Sequence, residues 1–201
     1  MQTAYIAMGS NLPSPAGSPE VTLSAAALRL GELGQLAGCA SLYSTEPVGF
    51  AAQPRFLNTV IAIETEFEPL AVLRQLLAIE KDYGRDRTAG VPNGPRTLDL
   101  DILLLGNLQI RESGLEIPHP RLAERAFVLV PLNEIASKVV VPGKNKTVAQ
   151  LLQILLQTKK GKANAVVQVQ SDIWCAGNRR GPDDPDASLR TAAARFTDRR
   201  G

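Results

Sequence analysis

Residues 94–103 read GPRTLDLDIL, and the interpretation of the chain starts from this stretch. Its second half alternates apolar residues with Asp99 and Asp101, which predicts a strand carrying both carboxylates on one face. Two acids about 7 Å apart on a strand repel each other and favour a cation beside them. Because acids inside a strand break the local preference, as functional sites do, we predict a metal site here. A solvated strand face is the alternative interpretation.

The preceding segment, residues 84–96, is a glycine-rich loop that carries Arg85, Arg87 and Arg96. Arginine binds phosphate through paired hydrogen bonds, and Mg²⁺ bridges phosphates to carboxylates. Loop and strand together predict a polyphosphate site, and the alternative is a solvated basic loop. The chain has no G-x-x-x-x-G-K-[ST] and no G-x-G-x-x-G segment, which excludes a P-loop as the phosphate site.

Three weaker signals lie elsewhere in the chain. His119 is flanked by prolines that would fix its ring, and with Arg125 nearby it could hydrogen-bond a phosphate; a surface histidine is the alternative. Phe56 and Asn58 share one strand face and would suit a flat heterocycle, although a strand phenylalanine usually packs in the core. Residues 9–11, Gly-Ser-Asn, read as a turn.

Composition excludes several protein classes. The 201 residues suffice for one domain, and 22 Lys+Arg against 20 Asp+Glu argue against a nucleic-acid-binding protein. No apolar run reaches the roughly 20 residues that span a membrane, and no basic leader is visible, so we expect a cytoplasmic protein. Cys39 and Cys175 are predicted to be free thiols, and with one histidine a zinc site is not expected.

Strand and helix patterns alternate, with some strands following each other directly, which predicts an α+β fold. Strands are expected at 4–8, 39–45, 56–65 and 98–105, and an edge strand is expected at 165–170. Three helices are expected: one from Ser18 to about Leu36, one that begins at Glu68, and one that follows a capping box formed by Thr147 and Gln150. The second helix would carry Leu70, Leu73, Leu77 and Glu80 on one side. Residues 121–135 are ambiguous because of Pro131. We predict one domain over 1–170 and a disordered tail over 171–201.

Longer blocks carry a family resemblance. GPRTLDLDILLL closely resembles the signature of the 6-hydroxymethyl-7,8-dihydropterin pyrophosphokinases, enzymes of the folate pathway. Four further blocks match that family in order: AYIAMGSNL at 4–12, YSTEPVG at 43–49, QPRFLNTVIAIET at 53–65 and IPHPRLAERAFVLVPLNEIA at 117–136. The resemblance covers residues 3–157.

The resemblance implies a ferredoxin-like α/β sandwich with a mainly antiparallel central sheet, helices packed on it and mobile loops at 46–55 and 84–95. It implies transfer of pyrophosphate from ATP to 6-hydroxymethyl-7,8-dihydropterin, which gives AMP and the pterin diphosphate in tetrahydrofolate synthesis. Two Mg²⁺ ions and ATP as co-substrate are implied. The expected partners are these small molecules, with no nucleic acid, no membrane and a monomeric chain.

Site roles follow from the same resemblance, position by position. The catalytic residues would be Arg85, Arg96, Asp99 and Asp101, with Asp99 and Asp101 as the metal ligands. ATP would be bound by Glu80, Arg87, Arg96, the backbone near Ile102, His119 and Arg125. The pterin would be bound by Thr45, Pro47, Val48, Phe56, Asn58, Asn93 and Phe127.

Four positions depart from the family pattern. Asn93 replaces a frequent Trp, Pro92 a frequently basic residue, Phe56 a frequent Tyr and Leu77 a Gln. We expect altered affinities with the chemistry retained. The alternatives are another two-metal nucleotidyl or phosphoryl transferase and a ferredoxin-like RNA-binding module. The low aromatic content, 4%, and the net charge of +2 argue against RNA binding.

Overall fold

The described part of the chain contains ten strands and four α-helices. The structure, a computed structural model, describes residues 1–47, 49, 52–87, 93–158 and 165–174. The strands are β1 Gln2–Ser10, β2 Gln35–Cys39, β3 Leu42–Thr45, β4 Phe56–Thr65, β5 Asp99–Leu105, β6 Ile110–Glu112, β7 Leu115–Ile117, β8 Val140–Val141, β9 Lys146–Thr147 and β10 Val166–Val169. The helices are α1 Pro19–Leu30, α2 Pro69–Asp82, α3 Ala126–Ala136 and α4 Val148–Gln157.

Six strands form one antiparallel sheet in the order β10-β3-β4-β1-β5, with β2 also paired to β4. Because helices follow β1 and β4, this order is the ferredoxin-like arrangement, and the predicted α+β fold is confirmed. Two short hairpins, β6-β7 and β8-β9, lie outside the sheet. The central strand β1 therefore has the edge strand β5 on one side and β4 on the other.

Helices cover both faces of the sheet. On one face, Ile6 of β1 and Ile61 of β4 share a core with α1 and α2. On the other, Tyr5 and Val60 share a second core with α3 and α4. This division follows from the alternation of side chains along a strand. Ala7, Gly9, Asn58, Asp99 and Asp101 continue the second face to the carboxyl end of β1, where the candidate site lies.

Helix starts agree with the sequence signals. Ser18 caps α1 by accepting the N–H of Val21 at 3.4 Å, and Pro69 opens α2. Thr147 and Gln150 form the predicted capping box before α4, with bonds of 2.9 and 3.2 Å. Pro131 lies inside α3.

Other expectations need correction. The first helix ends at Leu30, is followed by a 3-10 turn over Gly31–Leu33, and does not reach Leu36. The strand expected at 39–45 is two strands separated by residues 40–41. In α2 the buried residues are Val72, Leu76, Ile79 and Glu80, whereas Leu70 and Leu77 are exposed. Both apolar sets have helical spacing, so spacing alone did not identify the buried one.

The packed part of the chain extends beyond residue 170. The predicted edge strand forms as β10, which pairs with β3. Trp174 is 2% exposed in the core. Its indole N–H donates to the carbonyl of Ala40 at 2.8 Å. Residues 175–201, most of the predicted tail, lie outside the described residues.

The expectation of free thiols is wrong for Cys39, which is disulfide-bonded. The chain's other cysteine, Cys175, lies outside the described residues. Cys39 is fully buried next to Ala40, which bonds Trp174, so the packing of Trp174 brings the end of the described chain close to Cys39. The sequence alone did not predict this contact, because Cys39 and Trp174 lie far apart along the chain.

Within the described part of the chain, no helix is both long and apolar enough to cross a bilayer.

Candidate active site

Asp99 and Asp101 point into one cavity from β5. Between and beside them, Leu98, Leu100 and Ile102 are buried on the opposite face, as the alternation predicted. The two carboxylate side chains remain 26% and 36% exposed. A buried apolar face on β5 therefore fixes the direction of both acids.

Each of the two acids has two basic side chains beside it. Asp99 accepts a hydrogen bond from Arg96 at 2.7 Å and forms an ion pair with Arg85 at 3.1 Å. Asp101 lies 3.5 Å from Arg125 and 3.7 Å from the Nε2 atom of His119. Three arginines and one histidine that the sequence suggested for phosphate binding thus converge on the predicted metal ligands.

Two hydrogen bonds hold His119, one at its backbone and one at its ring. Its backbone N–H donates to the carbonyl of Leu103 at 2.9 Å, and its Nδ1 atom accepts the backbone N–H of Arg121 at 3.1 Å. The neutral ring therefore carries its hydrogen on Nε2, the atom that faces Asp101. Burial lowers the pKa of His119, and the charges of Arg125 and Arg121 lower it further, against the opposing effect of Asp101.

Glu80 lies behind the cavity and positions its neighbours. Only 1% of it is exposed. One carboxylate oxygen accepts the N–H of Leu100 at 2.8 Å, and the other accepts Arg87 at 2.6 and 2.9 Å. Burial raises the pKa of Glu80, while the bonds from Leu100 and Arg87 oppose the rise. Glu80 therefore supports the Asp-bearing strand and orients Arg87, which does line the cavity.

The other end of the cavity is less charged. Asn58 donates from Nδ2 to the hydroxyl of Thr45 at 2.7 Å, so its side-chain amide is fixed. Phe56 and Phe127 supply aromatic rings, and the guanidinium carbons of Arg96 and Arg125 lie 5.5 and 5.6 Å from the respective ring centres. These are the residue types that bind a flat, hydrogen-bonding heterocycle.

Gly9 permits this arrangement, although the sequence signal at 9–11 indicated only a turn. It lies inside β1, opposite both Asn58 and Asp99. A Cβ atom on Gly9 would stand 2.9 Å from the Oδ1 atom of Asn58. Glycine is therefore needed for the amide of Asn58 to lie across β1.

Asn11 connects the two loops that flank the cavity. Its Oδ1 atom accepts the N–H of Arg96 at 2.8 Å, and its Nδ2 atom donates to Gln53 at 3.1 Å and Pro54 at 3.0 Å. Gln53 in turn donates to the carbonyl of Asn93 at 2.9 Å. Sequence reasoning missed this role because periodicity does not reveal contacts between distant loops.

Strand β3 is held by the helix that covers it. Glu134 of α3 accepts the N–H and hydroxyl of Ser41 at 2.9 and 2.8 Å and the hydroxyl of Tyr43 at 3.0 Å. Burial and the charge of Glu134 raise the pKa of Tyr43 to about 12, so its hydroxyl stays a donor at neutral pH. Thr45 at the end of β3 is thereby supported from behind.

The cavity has a volume of about 300 Å³ and gathers most of the predicted site residues. Those lining it are Thr45, Phe56, Asn58, Arg85, Arg87, Asn93, Arg96, Asp99, Asp101, His119, Arg125 and Phe127. Glu80, Pro47 and Ile102 do not line it, and Val48 and Pro92 lie outside the described residues. Sequence reasoning did not assign Arg121 and Glu124, which also line the cavity.

The donor chemistry fits Mg²⁺. Within the described ranges, no cluster of three or more His, Cys, Asp or Glu side chains could enclose a metal on its own. Magnesium is usually held by one or two carboxylates, with substrate phosphates and water completing its shell. Two aspartates beside several arginines match that pattern.

The sequence of this chain is similar to those of one protein family. The sequence model of the 7,8-dihydro-6-hydroxymethylpterin-pyrophosphokinase family matches residues 5–137. A 2-amino-4-hydroxy-6-hydroxymethyldihydropteridine pyrophosphokinase of Haemophilus influenzae is 42% identical over 166 residues, 82% of this chain and 99% of the relative. The protein of the same name from Pseudomonas aeruginosa is 43% identical over 142 residues, 71% of this chain and 85% of the relative.

A solved structure shows the same fold. Plasmodium falciparum HPPK-DHPS aligns with 81% of this chain at a TM-score of 0.62 and 15% sequence identity. The alignment covers 46% of that longer chain, so this protein spans just under half its length.

Proposed function

The chain belongs to the 7,8-dihydro-6-hydroxymethylpterin-pyrophosphokinase family, and we propose that its cavity carries out that chemistry. The pyrophosphoryl group of ATP is transferred to the hydroxymethyl group of 6-hydroxymethyl-7,8-dihydropterin, a step of folate synthesis. One observation carries the proposal: a single cavity joins two aspartates and their arginines to an aromatic and amide surface. The aspartates and arginines suit the binding of ATP, and the aromatic and amide surface suits the binding of the pterin.

The phosphate half of the cavity is formed by Asp99, Asp101 and the cations around them. In the reaction, the hydroxyl oxygen of the pterin bonds to the β-phosphorus and its proton passes to water. The bond from that phosphorus to the α–β bridging oxygen breaks, and AMP leaves with the electron pair of that bond. Arg85, Arg96 and Arg125 stabilise the negative charge that spreads over the phosphate oxygens. His119 donates a hydrogen bond from its Nε2 atom to a phosphate oxygen.

Asp99 and Asp101 would hold two Mg²⁺ ions against the phosphates. Bound there, Mg²⁺ supplies charge neutralisation and lowers the pKa of the attacking hydroxyl. Guanidinium groups now paired to the acids would then bind phosphate oxygens, because a carboxylate on a metal has less charge to offer them. The carboxylates thus bind metal and the arginines bind substrate within one charge-balanced cluster.

The pterin half of the cavity orients the acceptor. Phe56 and Phe127 provide ring surfaces, while the fixed amide of Asn58 and the hydroxyl of Thr45 bind the edge of the heterocycle. Positioning the hydroxyl beside the β-phosphorus is a large part of catalysis in phosphoryl transfer. Asn11 links the loops from both halves and so keeps their spacing.

Product analysis tests this proposal. Purified protein is incubated with Mg-ATP and 6-hydroxymethyl-7,8-dihydropterin, and the nucleotides are separated. We expect AMP that depends on the pterin, with the pterin diphosphate in equal amount. ADP would indicate an ordinary kinase, and release of free pyrophosphate a nucleotidyl transferase; either product would overturn the proposal.

A further inference from the structure

The exposed side chain of Arg121 lies at the rim of the cavity and has no role in the proposed reaction so far. It follows the Pro118-His119-Pro120 turn and precedes a 3-10 turn over Leu122–Glu124. Its backbone N–H fixes the ring of His119, and its side chain is exposed and lines the cavity. Because the bond to His119 comes from the backbone of Arg121, a substitution of the Arg121 side chain leaves that bond in place.

The side chain of Arg121 differs from the other arginines that line the cavity. Arg85 and Arg96 pair with Asp99, Arg125 pairs with Asp101, and Arg87 pairs with Glu80. Among the described residues, no carboxylate lies within ion-pair distance of Arg121. Its positive charge at the rim is therefore not neutralised by a neighbouring side chain.

Arg121 lies next to the centre of the site. Its backbone N–H donates to the Nδ1 atom of His119 at 3.1 Å, and the Nε2 atom of the same ring faces Asp101. The side chains of Arg121 and Arg125 line the same cavity. An anion bound between these two guanidinium groups would be attracted by both positive charges.

We propose that Arg121 is a further phosphate-binding residue, which holds the β,γ-pyrophosphoryl group of ATP at the mouth of the cavity. This inference rests on the proposed function. The β- and γ-phosphates carry most of the charge of ATP, and Arg121 can bind them without breaking an ion pair. The other four arginines must first exchange a carboxylate for a phosphate.

The test compares Arg121→Gln with wild type by calorimetric titration of two ligands. A non-hydrolysable α,β-methylene analogue of ATP, with Mg²⁺, carries the β- and γ-phosphates, and AMP lacks them. We expect the Kd of the analogue to rise about tenfold and that of AMP to change less than about twofold. Arg121→Lys, which keeps the charge but not the two-pronged geometry, should fall between.

Arg111→Gln is the matched control. Arg111 lies on β6, is 88% exposed in its side chain and pairs only loosely with Glu116 at 3.5 Å. It also removes one positive charge, so any general effect of net charge appears in both variants. We expect its affinity for the analogue to match wild type.

Three results would overturn the inference: an unchanged Kd for the analogue, an equal weakening of AMP, or an equal effect of Arg111→Gln. The wild-type protein is assayed in parallel for pterin-dependent AMP. Loss of that activity in wild type would contradict the proposed function, whereas the Kd comparison tests Arg121 whether or not turnover occurs.

Discussion

The two halves of the cavity are built from different interactions. In the phosphate half, Asp99 and Asp101 are held by three arginines and by His119 at 2.7 to 3.7 Å. In the pterin half, Asn58 and Thr45 are held by a neutral hydrogen bond of 2.7 Å, and Gly9 leaves room for the amide. Ligand binding must rearrange charge in the first half, whereas the second half is already shaped.

This difference predicts which kinetic or binding constant a substitution in each half will change. A substitution in the phosphate half alters charge balance and should act on turnover and nucleotide binding. A substitution in the pterin half alters shape and should act on the KM for the pterin. The halves meet where Arg96 lies over Phe56 and Arg125 over Phe127, so neither is independent of the other.

Removing a carboxylate should have the largest effect. Asp99→Ala and Asp101→Ala are each expected to reduce kcat by about 10³-fold or more, because charge stabilisation at the phosphates is lost. Thermal unfolding should stay near that of wild type, since both side chains are partly exposed. Steady-state AMP formation gives the measurement.

Asp82→Ala is the control for these variants, because Asp82 is an exposed acid at the end of α2 that pairs with Arg29 and does not line the cavity. Its turnover should match wild type. Near-normal turnover in Asp99→Ala or Asp101→Ala would contradict the assignment of the phosphate half.

Glu80 supports the phosphate half from behind. Glu80→Ala leaves the buried N–H of Leu100 without its acceptor and should cost about 2 kcal/mol of unfolding free energy. Glu80→Gln keeps an acceptor oxygen and should cost less. Urea unfolding measures both, with Glu32→Ala, an exposed ion-paired acid, as a control that should cost about 0.5 kcal/mol or less.

The pH dependence of Glu80→Gln has a defined sign. Because the pKa of Glu80 is raised above its ordinary value of 4.5, its contribution to stability is present below that pH and is lost as pH rises through the folded-state pKa. The glutamine does not titrate. Wild type should therefore lose stability relative to Glu80→Gln as pH rises from 4.5; the opposite trend would contradict the burial argument.

Gly9→Ala should have a smaller effect that is confined to the pterin half. The new methyl group would meet the Oδ1 atom of Asn58 at 2.9 Å and displace the amide. We expect the KM for the pterin to rise about tenfold, with the Kd of the ATP analogue nearly unchanged. Gly31→Ala, where a Cβ atom would meet nothing within 4 Å, should leave both unchanged.

Local patterns predicted much of the fold. The run at 56–65 became β4 with the expected bounds, and the alternation around Asp99 gave the directions of both acids. The resemblance gave the sheet type and most of the residues around the cavity. These features depend on neighbours in sequence or on long matching blocks.

Features set by distant contacts were not predictable in this way. Trp174 packs beside Ala40, and Gly9 and Asn11 act through residues far along the chain. The bonds of Glu80 to Leu100 and Arg87 were likewise not foreseen, and its binding of ATP stays a prediction. The monomeric state and the cytoplasmic location stay predictions.

Counting bound metal ions tests the central claim most directly, namely that Asp99 and Asp101 hold two Mg²⁺ ions in the phosphate half. Mn²⁺ replaces Mg²⁺, and electron paramagnetic resonance measures the ions bound per chain with saturating α,β-methylene ATP. We expect two in wild type and fewer in Asp99→Asn and Asp101→Asn. Equal numbers and affinities in all three proteins would contradict the claim.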